Sequence, residues 1–438
     1  MARERKPGWG RNLVSKVTCP NCWHSAAPDR LLFISKHPDL IGDSVAGENE
    51  YRRFEPLRFN VAGDAIDEKG FPTDVLACPR CHLHISEAML EATPLFISVI
   101  GSPASGKSYS MAAATWELRK IMPELAMSFT DADPTTNVAL HEYEQALFMS
   151  SRPDELTEIR KTQRDDPRLY QTVMLEDASV RFPLPLQFAM WPTREHPRHS
   201  SSDKMGGVIV MYDNAGEDFL PGADSGVTPV VEHLAKSPII FAFFDPTQDH
   251  RFRKECNSDD PQLTQQADMN SGAVSVTRQE TLLQEAGVRV RRYLGIASNK
   301  PVDKKMVVIV SKSDVWADQF GIPMGEEPYT SGKGDGPKTM NTAHVEDVSN
   351  KTRDVLRRLC PEFVATAENL CSEVCYVPTS ALGTSPENSE LDGRHMLGVR
   401  PRNISPQWVT VPLLYSLCKW ARGLIIPTSM AKRKEQGQ

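Results

Sequence analysis

The stretch LFISVIGSPASGKSYSMAAATWELRK, residues 95–120, passes from an apolar run through glycine and small residues into a helical pattern. Its centre, GSPASGKS at residues 101–108, fits the phosphate-loop pattern G-x-x-x-x-G-K-S/T. In this pattern, successive backbone amides and the first turn of the following helix form a cradle for an anion. The stretch therefore predicts a strand over 95–100, a loop over 101–108 and a helix over 108–121, and it predicts that the chain holds a phosphorylated ligand.

Each position of the loop has an expected role. Gly101 and Gly106 allow backbone conformations and a close approach of phosphate that a Cβ atom would hinder. Lys107 is expected to reach the β- and γ-phosphates, and the Ser108 hydroxyl to coordinate Mg²⁺. The residues of this segment expected to contact the nucleotide are Gly101, Ser102, Pro103, Ala104, Ser105, Gly106, Lys107, Ser108 and Tyr109.

A second motif follows the apolar run GGVIVMYD at residues 206–213. Asp213 ends that run and begins a D-x-x-G pattern that closes at Gly216. A carboxylate at such a strand end holds Mg²⁺ through a bound water, and the Gly216 amide can bond the γ-phosphate and so sense its presence. In a mechanical ATPase this strand more often ends in Asp-Glu, so the D-x-x-G pattern favours a switch GTPase.

The base is expected to be read by the segment MVVIVSKSD, which ends at Asp314. The Asp314 carboxylate can accept two hydrogen bonds from guanine, through N1–H and the exocyclic amine, and adenine lacks that donor pattern. The stem of Lys312 is expected to lie along the base plane. In the next apolar segment, which ends in PTSALG, Ser380 and Ala381 are expected to offer a hydroxyl and a backbone amide to the Asp314 loop and to guanine O6.

The four motifs GSPASGKS, DNAG, SKSD and TSA stand in the order of the Ras-like, translation-factor-related (TRAFAC) GTPases, which the chain resembles over residues 95–423. The C-x-x-C units near the start, and FFDPTQD after a buried strand, are similar to a narrower group, the bacterial double-GTPase-type domains of conflict and defence gene systems. The resemblance implies a Mg²⁺-dependent GTPase that switches between GTP- and GDP-bound forms, turns over slowly on its own and regulates partner proteins.

The chain departs from that family at three positions. Ser311 stands where the family has asparagine, and a serine bonds the phosphate loop less fully. Glu217 stands where many relatives place a glutamine that orients the attacking water, and its negative charge would oppose the γ-phosphate. Pro103 stands where the archetypal small GTPases have glycine, which stiffens the loop. These departures leave open a second hypothesis, a GTP-sensing scaffold protein with negligible hydrolysis.

The resemblance also implies a threonine that completes the Mg²⁺ site from a loop before the hairpin. Thr162 in EIRKTQRDD suits this role best, with Thr157 and Thr172 as rivals. Arg160 and Arg164 flank Thr162, and either is a candidate for an arginine finger supplied by the same chain. The alternative for both arginines is an ordinary solvated loop.

Two C-P-x-C units, CPNC at residues 19–22 and CPRC at residues 78–81, predict a metal site. A pair of such turns can point four thiolates at one tetrahedral Zn²⁺, and in a reducing compartment the pattern favours metal over disulfides. Redox thiols and plain core cysteines are the alternatives. The expected structural zinc ligands are Cys19, Cys22, Cys78 and Cys81, with His24, His82 and His84 beside the site rather than in it.

The order of apolar runs and helical patterns predicts the fold class. Short, nearly continuous apolar strands alternate with helices, which predicts an α/β fold of the P-loop NTPase type, with a mostly parallel sheet, one antiparallel hairpin strand and helices on both faces. The predicted units are a basic tail and zinc-ribbon-like unit over 1–92, the GTPase domain over 93–425 and a polar tail over 426–438. An inserted β-element is expected around 31–34 and 57–61.

Composition narrows the class of partner. The 438 residues carry a net charge of −7 with 40% hydrophobic residues, which fits a globular protein and argues against one that wraps nucleic acid. Contact between the zinc unit and nucleic acid is left open, and the acidic balance favours a partner protein. No apolar stretch approaches the roughly 20 residues needed to span a bilayer, so a cytoplasmic protein is expected. A nucleotide kinase would share the phosphate loop but leaves Ser-Lys-Ser-Asp unexplained.

Overall fold

The computed structural model describes most of the chain. The residues it describes are 13–133, 135–157, 168–199, 206–214, 229–256, 278–332, 336–391, 394–421 and 423–429. The predicted site residues Thr162, Gly216 and Glu217, and the candidate fingers Arg160 and Arg164, lie outside these ranges.

A seven-stranded sheet forms the centre of the described chain. Its strands, in chain order, are β1 (Thr93–Gly101), β2 (Met127–Asp131), β3 (Leu186–Pro192), β4 (Gly207–Asp213), β5 (Ile239–Phe244), β6 (Val302–Val310) and β7 (Cys371–Pro378). Across the sheet they lie in the order β2-β3-β4-β1-β5-β6-β7. Strand β3 runs antiparallel to both neighbours, and every other adjacent pair is parallel. The prediction of a large, mostly parallel sheet with one antiparallel hairpin strand is confirmed.

Helices connect most of these strands. They are α1 (Lys107–Glu124), α2 (Val138–Phe148), α3 (Pro229–Lys236), α4 (His250–Glu255), α5 (Gln279–Leu294), α6 (Ser313–Trp316), α7 (Thr342–Leu359), α8 (Pro361–Leu370) and α9 (Val411–Lys419). Helix α8 begins with a proline. Here Pro361 occupies the first turn, where its missing N–H would have had no helical partner. No helix within the described ranges is long and apolar enough to cross a membrane.

Short strand pairs lie outside the central sheet. They are Tyr170–Leu175 with Ala178–Pro183, Tyr329–Thr330 with Thr339–Met340, and Glu387–Leu391 with Arg394–Gly398.

The N-terminal unit consists mainly of short strands. They are Val17–Thr18, Ser25–Ala26, Leu32–Ile34, Ile41–Asp43, Gly47–Tyr51, Arg53–Phe54, Ala65–Ile66, Pro72–Thr73, Leu76–Ala77 and His84–Ile85, followed by the helix Ala88–Glu91. The strand expected around 31–34 is present. Around 57–61 the β-structure is limited to an isolated bridge between Phe59 and Ala65, and hydrogen bonds between Asn60 and Asp64 close the turn that joins them, a role for which asparagine and aspartate are suited.

The N-terminal unit and the central sheet share a hydrophobic core at β4. Side chains alternate between the faces of a strand, so successive residues enter different cores. Ile209 and Met211 belong to the main core, whereas Val208, Val210 and Tyr212 pack with the N-terminal unit. At β4, therefore, the N-terminal unit covers a part of the sheet face for which the sequence predicts only helices.

Candidate functional site

The carboxyl ends of the parallel strands meet at one edge of the sheet, where open α/β sheets generally bind ligands. Asp213 at the end of β4 is in register with Val99 of β1, and Gly101 at the end of β1 is in register with Phe243 of β5. Strands β5 and β6 also end level with each other. The phosphate loop, Asp213 and the segment after β6 therefore lie along one edge.

The loop between β1 and α1 adopts a conformation that requires small residues. Ala104 and Gly106 have positive φ values of 59° and 86°, which residues with side chains rarely adopt. A Cβ atom at Gly101 would lie 2.7 Å from the Cβ atom of Phe243, so the neighbouring strand excludes a side chain there. Both glycines of the motif are thus required by the loop itself, apart from any ligand.

Lys107, the first residue of α1, has its ammonium group inside the loop. Its Nζ donates to the carbonyl oxygens of Gly101 at 3.0 Å and Ser102 at 2.9 Å. Burial lowers the pKa of Lys107, and the charge of Asp213 opposes that effect. Burial likewise raises the pKa of Asp213 to about 6, and Lys107 opposes that rise. The cation and the carboxyl group therefore lie within electrostatic reach of each other beside the loop.

The residues at this edge offer the oxygen donors that Mg²⁺ prefers. Asp213 supplies a half-buried carboxylate, and Ser108, the second residue of α1, supplies a half-buried hydroxyl. Such hard ligands, together with phosphate oxygens and waters, suit an octahedral Mg²⁺ ion. Asn214 donates its side-chain amide to the Val99 carbonyl oxygen at 3.1 Å and so fixes the end of β4 against β1. The donor set fits the metal that the motif predicts.

The segment predicted to read the base begins at the end of β6. Lys312 has a positive φ of 55° and immediately precedes α6, whose first turn contains Asp314. The Lys312 ammonium group forms an ion pair with Asp245 Oδ2 at 2.7 Å and donates to Thr247 Oγ1 at 3.0 Å. The segment is therefore anchored to the turn that follows β5.

The end of β7 lies beside the start of α6. The Thr379 carbonyl oxygen accepts a hydrogen bond from the Ser313 amide at 3.0 Å. Ser380, the next residue, is buried, and its hydroxyl accepts from the Gly383 amide at 2.7 Å. Ala381 follows and is half-buried. Ser380 and Ala381 thus lie close to the base-reading segment, and their contacts with guanine O6 stay predictions.

Sequence reasoning missed the turn after β5. Asp245, Thr247 and Gln248 lie at the same edge and contact either Lys312 or the phosphate loop. The motif FFDPTQD carries a usable signal, because its acidic residue follows a buried strand just as one does at the end of β4. Gln279, in the first turn of α5, gives no local signal, because its partners lie 34 and 177 positions away in the chain.

Two of the three candidates for the switch threonine lie within the described residues. Thr157 forms an isolated bridge with Val399, and Thr172 lies in the strand Tyr170–Leu175. Thr162, the favoured candidate, lies outside the described residues and stays a prediction.

Four buried cysteines form a cluster in the N-terminal unit. The Sγ atoms of Cys19, Cys22, Cys78 and Cys81 all lie within 4.8 Å of one another. Those of Cys19 and Cys81 are 3.7 Å apart, and those of Cys22 and Cys78 are 3.6 Å apart. Zinc bonded at about 2.3 Å to four tetrahedral thiolates places the sulfur atoms about 3.8 Å from one another. The cluster therefore fits zinc.

The two C-P-x-C turns have matching backbone geometry. In each, the amide two residues after the first cysteine donates to that cysteine's Sγ at 3.4 Å. Trp23 and His82, which follow the second cysteine of each turn, have positive φ values of 57° and 58°. Burial raises the pKa of the Cys19 thiol well above its usual value. Thiolates at this depth need a bound cation, as a metal site supplies.

Two of the three neighbouring histidines have carboxylate partners. His82 Nδ1 lies 2.7 Å from Asp43 Oδ1, and His84 Nε2 lies 3.6 Å from Asp133 Oδ2. The backbone carbonyl of His24 accepts a hydrogen bond of 2.8 Å from the amide of the first clustered cysteine. Within the described residues, the ligand cluster consists of the four cysteines, with these histidines beside it.

The first cysteine turn contacts the strand that ends at Asp213. The Tyr212 hydroxyl donates to the Pro20 carbonyl oxygen at 2.7 Å, and His233 Nε2 lies 2.8 Å from the Asn21 carbonyl oxygen. The rings of Tyr212 and His233 stack with their centroids 3.9 Å apart. Because Tyr212 immediately precedes Asp213, the cysteine turn supports the end of β4.

No family model matches the chain, and no curated protein matches it. Among solved structures 103 chains match, one of them in the crystal structure of Era in complex with MgGDPNP and nucleotides 1506–1542 of 16S ribosomal RNA. That match has 12% sequence identity and a TM-score of 0.23, and it covers 70% of this chain and 62% of the Era chain. This chain therefore spans less than two thirds of the Era chain's length.

Proposed function

We propose that this chain binds GTP with Mg²⁺, hydrolyses it and acts as a switch that regulates partner proteins. The observation that carries the proposal is the placement of three segments on one sheet edge, namely the Lys107 loop, Asp213 and the Lys312–Asp314 segment. Binding phosphates, holding a metal and reading a base require these segments to lie within the length of one nucleotide. Each segment alone is compatible with several functions, and their common edge supports this one.

Phosphate binding is assigned to the loop and the start of α1. With a nucleotide bound, Lys107 would exchange its two carbonyl partners for phosphate oxygens, and such charge-assisted hydrogen bonds are stronger. The helix N-terminus adds positive potential. Ser108 and Asp213 would hold Mg²⁺, directly or through a water, and the ion would neutralise charge on the phosphates.

Three further roles belong to residues outside the described ranges. Thr162 would complete the metal site, the Gly216 amide would bond the γ-phosphate, and Glu217 would orient the attacking water. Turnover would then be slow in the isolated chain, because the negative charge of a carboxylate at position 217 would oppose that of the γ-phosphate.

Base selection is assigned to Asp314, whose carboxylate matches the two donors of guanine. The stem of Lys312 would lie along the base, with its ammonium group held by the fully buried Asp245. Ser380 and Ala381 would complete the base site at O6.

A structural zinc ion is assigned to the cluster of Cys19, Cys22, Cys78 and Cys81. Four protein thiolates leave no open coordination position, so such an ion serves folding rather than catalysis. It would hold the turn whose carbonyl groups contact Tyr212 and His233.

Asp314→Asn should transfer the base preference from guanine to xanthine. Xanthine carries a carbonyl where guanine carries the exocyclic amine, so an amide side chain restores the match that the carboxylate loses. We expect GTP affinity to fall at least about 100-fold, and XTP affinity to rise, in equilibrium competition assays. Asp318→Asn, at an exposed aspartate nearby, is the control and should bind like the wild type. An unchanged preference for guanine over xanthine in Asp314→Asn would show that Asp314 does not select the base.

Asp213→Asn should raise the stability of the nucleotide-free chain and weaken its binding of the metal. Burial raises the pKa of Asp213 from 3.8 to about 6, so the folded chain holds this proton more tightly than the unfolded chain does. The resulting stabilisation is present below about pH 4 and is lost as the pH rises through about 6. At about pH 8 the nucleotide-free Asn variant should melt about 1–3 °C above the wild type. Its Mg²⁺-dependent GTP affinity should fall at least about tenfold. A lower melting temperature at that pH would contradict this account of burial.

Single-turnover hydrolysis separates the switch from the GTP-sensing scaffold. The wild type should cleave radiolabelled GTP slowly, and faster with partners recovered by co-purification in a non-hydrolysable GTP analogue but not in GDP. Binding of GTP without cleavage, alone and with every recovered partner, would favour the scaffold.

A further inference from the structure

One glutamine side chain holds two consecutive residues of the phosphate loop. Gln248 Nε2 donates to the Pro103 carbonyl oxygen at 3.0 Å, and Gln248 Oε1 accepts from the Ser102 hydroxyl at 2.8 Å. Gln248 ends the short 3-10 helix Pro246–Gln248, which is separated from β5 by Asp245 alone. Both ends of its amide group are therefore used to fix the first half of the loop.

The turn that carries Gln248 is itself fixed from the start of α5. The buried Gln279 side chain donates from Nε2 to the Asp245 carbonyl oxygen and accepts at Oε1 from the Asp245 amide, both at 2.8 Å. The Ser102 hydroxyl also lies 3.4 Å from Gln279 Oε1. The backbone entering the turn is thus held at both its amide and its carbonyl group, three residues before Gln248.

The same turn holds the base-reading segment. Asp245 Oδ1 accepts from both the amide and the hydroxyl of Thr247, at 2.9 and 2.7 Å. Asp245 Oδ2 and Thr247 Oγ1 are in turn the partners of the Lys312 ammonium group. Residues 245–248 therefore connect the phosphate loop with the segment before α6.

This connection replaces one expected from Ser311. The sequence predicts that Ser311 bonds the phosphate loop, but its hydroxyl donates to the Phe244 carbonyl oxygen at 3.3 Å. That carbonyl also accepts from the Ser311 amide at 2.9 Å, so the residue is bound to the neighbouring strand β5. The tie between base segment and loop runs through Gln248 instead.

We propose that Gln248 is a positioning residue that fixes the phosphate loop for the nucleotide and couples it, through Asp245, to Lys312. The inference rests on the proposed nucleotide-binding function. A loop already held in its binding conformation loses less entropy when the phosphates arrive. Because Gln248 is half-buried at the surface, its loss should weaken binding far more than folding.

The test compares Gln248→Ala and Gln248→Glu with Gln171→Ala, a half-buried glutamine in the Tyr170–Leu175 strand. The probes are N-methylanthraniloyl-labelled GDP and GTP on the full chain with Mg²⁺. Gln248→Ala should raise both dissociation constants about tenfold, mainly through faster dissociation, and leave the preference for GTP over ATP unchanged. Gln248→Glu should bind more weakly still, because a carboxylate cannot donate to the Pro103 carbonyl and repels phosphate. Gln171→Ala should bind as the wild type does.

A double-mutant cycle with Ser102→Ala gives a result that a merely structural role would not. If Gln248 acts through Ser102 as inferred, Ser102→Ala weakens binding in the wild type but adds little in Gln248→Ala. The melting temperatures of both nucleotide-free variants should stay within about 2 °C of the wild type. Full additivity, a larger drop in melting temperature, or dissociation constants within about twofold of the wild type overturns the inference. Failure of the wild type to bind any nucleotide overturns the proposed function instead.

Discussion

Lys107→Ala should reduce the affinity for GTP and GDP by at least about 100-fold, the loss expected when charge-assisted hydrogen bonds to phosphate are removed. The structure places this ammonium group inside the loop, on the carbonyl oxygens of Gly101 and Ser102. The loop is therefore built around the lysine ammonium group.

The matched control for this prediction is Lys120→Ala. Lys120 is an exposed lysine on the same helix, paired with Glu117, and its removal should leave nucleotide affinity unchanged. Affinity can be measured by calorimetric titration of both variants. Retention of GTP affinity within about threefold in Lys107→Ala would show that the loop does not bind the phosphates.

Loss of the metal from the cysteine cluster should strongly reduce the stability of the chain. Cys22→Ser should lower the zinc content of the purified chain and reduce its free energy of unfolding by several kcal/mol, because a structural zinc site contributes its binding energy to folding. The loss should reach the central sheet, since the cysteine cluster, Val208, Val210 and Tyr212 belong to one hydrophobic core. Metal analysis and thermal melting measure both quantities.

Cys256→Ser is the control for the cysteine replacement, because Cys256 is half-buried and lies outside the cluster. It should keep its zinc and melt within about 2 °C of the wild type. Because Tyr212, the residue before Asp213, donates a hydrogen bond to the first cysteine turn, Cys22→Ser should also weaken Mg²⁺-dependent nucleotide binding. A metal-free chain with an unchanged melting temperature would show that the cluster is not a structural metal site.

Local features of the sequence predict the parts of the site formed by contiguous residues. The strand, loop and helix around Lys107 follow from the spacing of glycines and from an apolar run, and Asp213 follows from its place at the end of another such run. The mostly parallel sheet follows in the same way, because its strands are nearly continuous apolar segments. The cysteine pairs are predicted from their own spacing alone.

The features that the sequence does not predict depend on distant contacts. Gln248 meets Pro103 across 145 positions of the chain, and Tyr212 meets Pro20 across 192, so no local pattern marks either pair. The position of Ser311 is predicted, but its partner is not, because the hydroxyl is bound by the adjacent strand.

Competition between GTP and ATP tests the central claim most directly. In calorimetric titrations of the full wild-type chain with Mg²⁺, GTP and GDP should bind and ATP should bind at least about 100-fold more weakly. Chelation of Mg²⁺ should weaken the binding of GTP. Equal affinity for ATP and GTP, or binding of neither, would contradict the assignment of this sheet edge as a guanine nucleotide site.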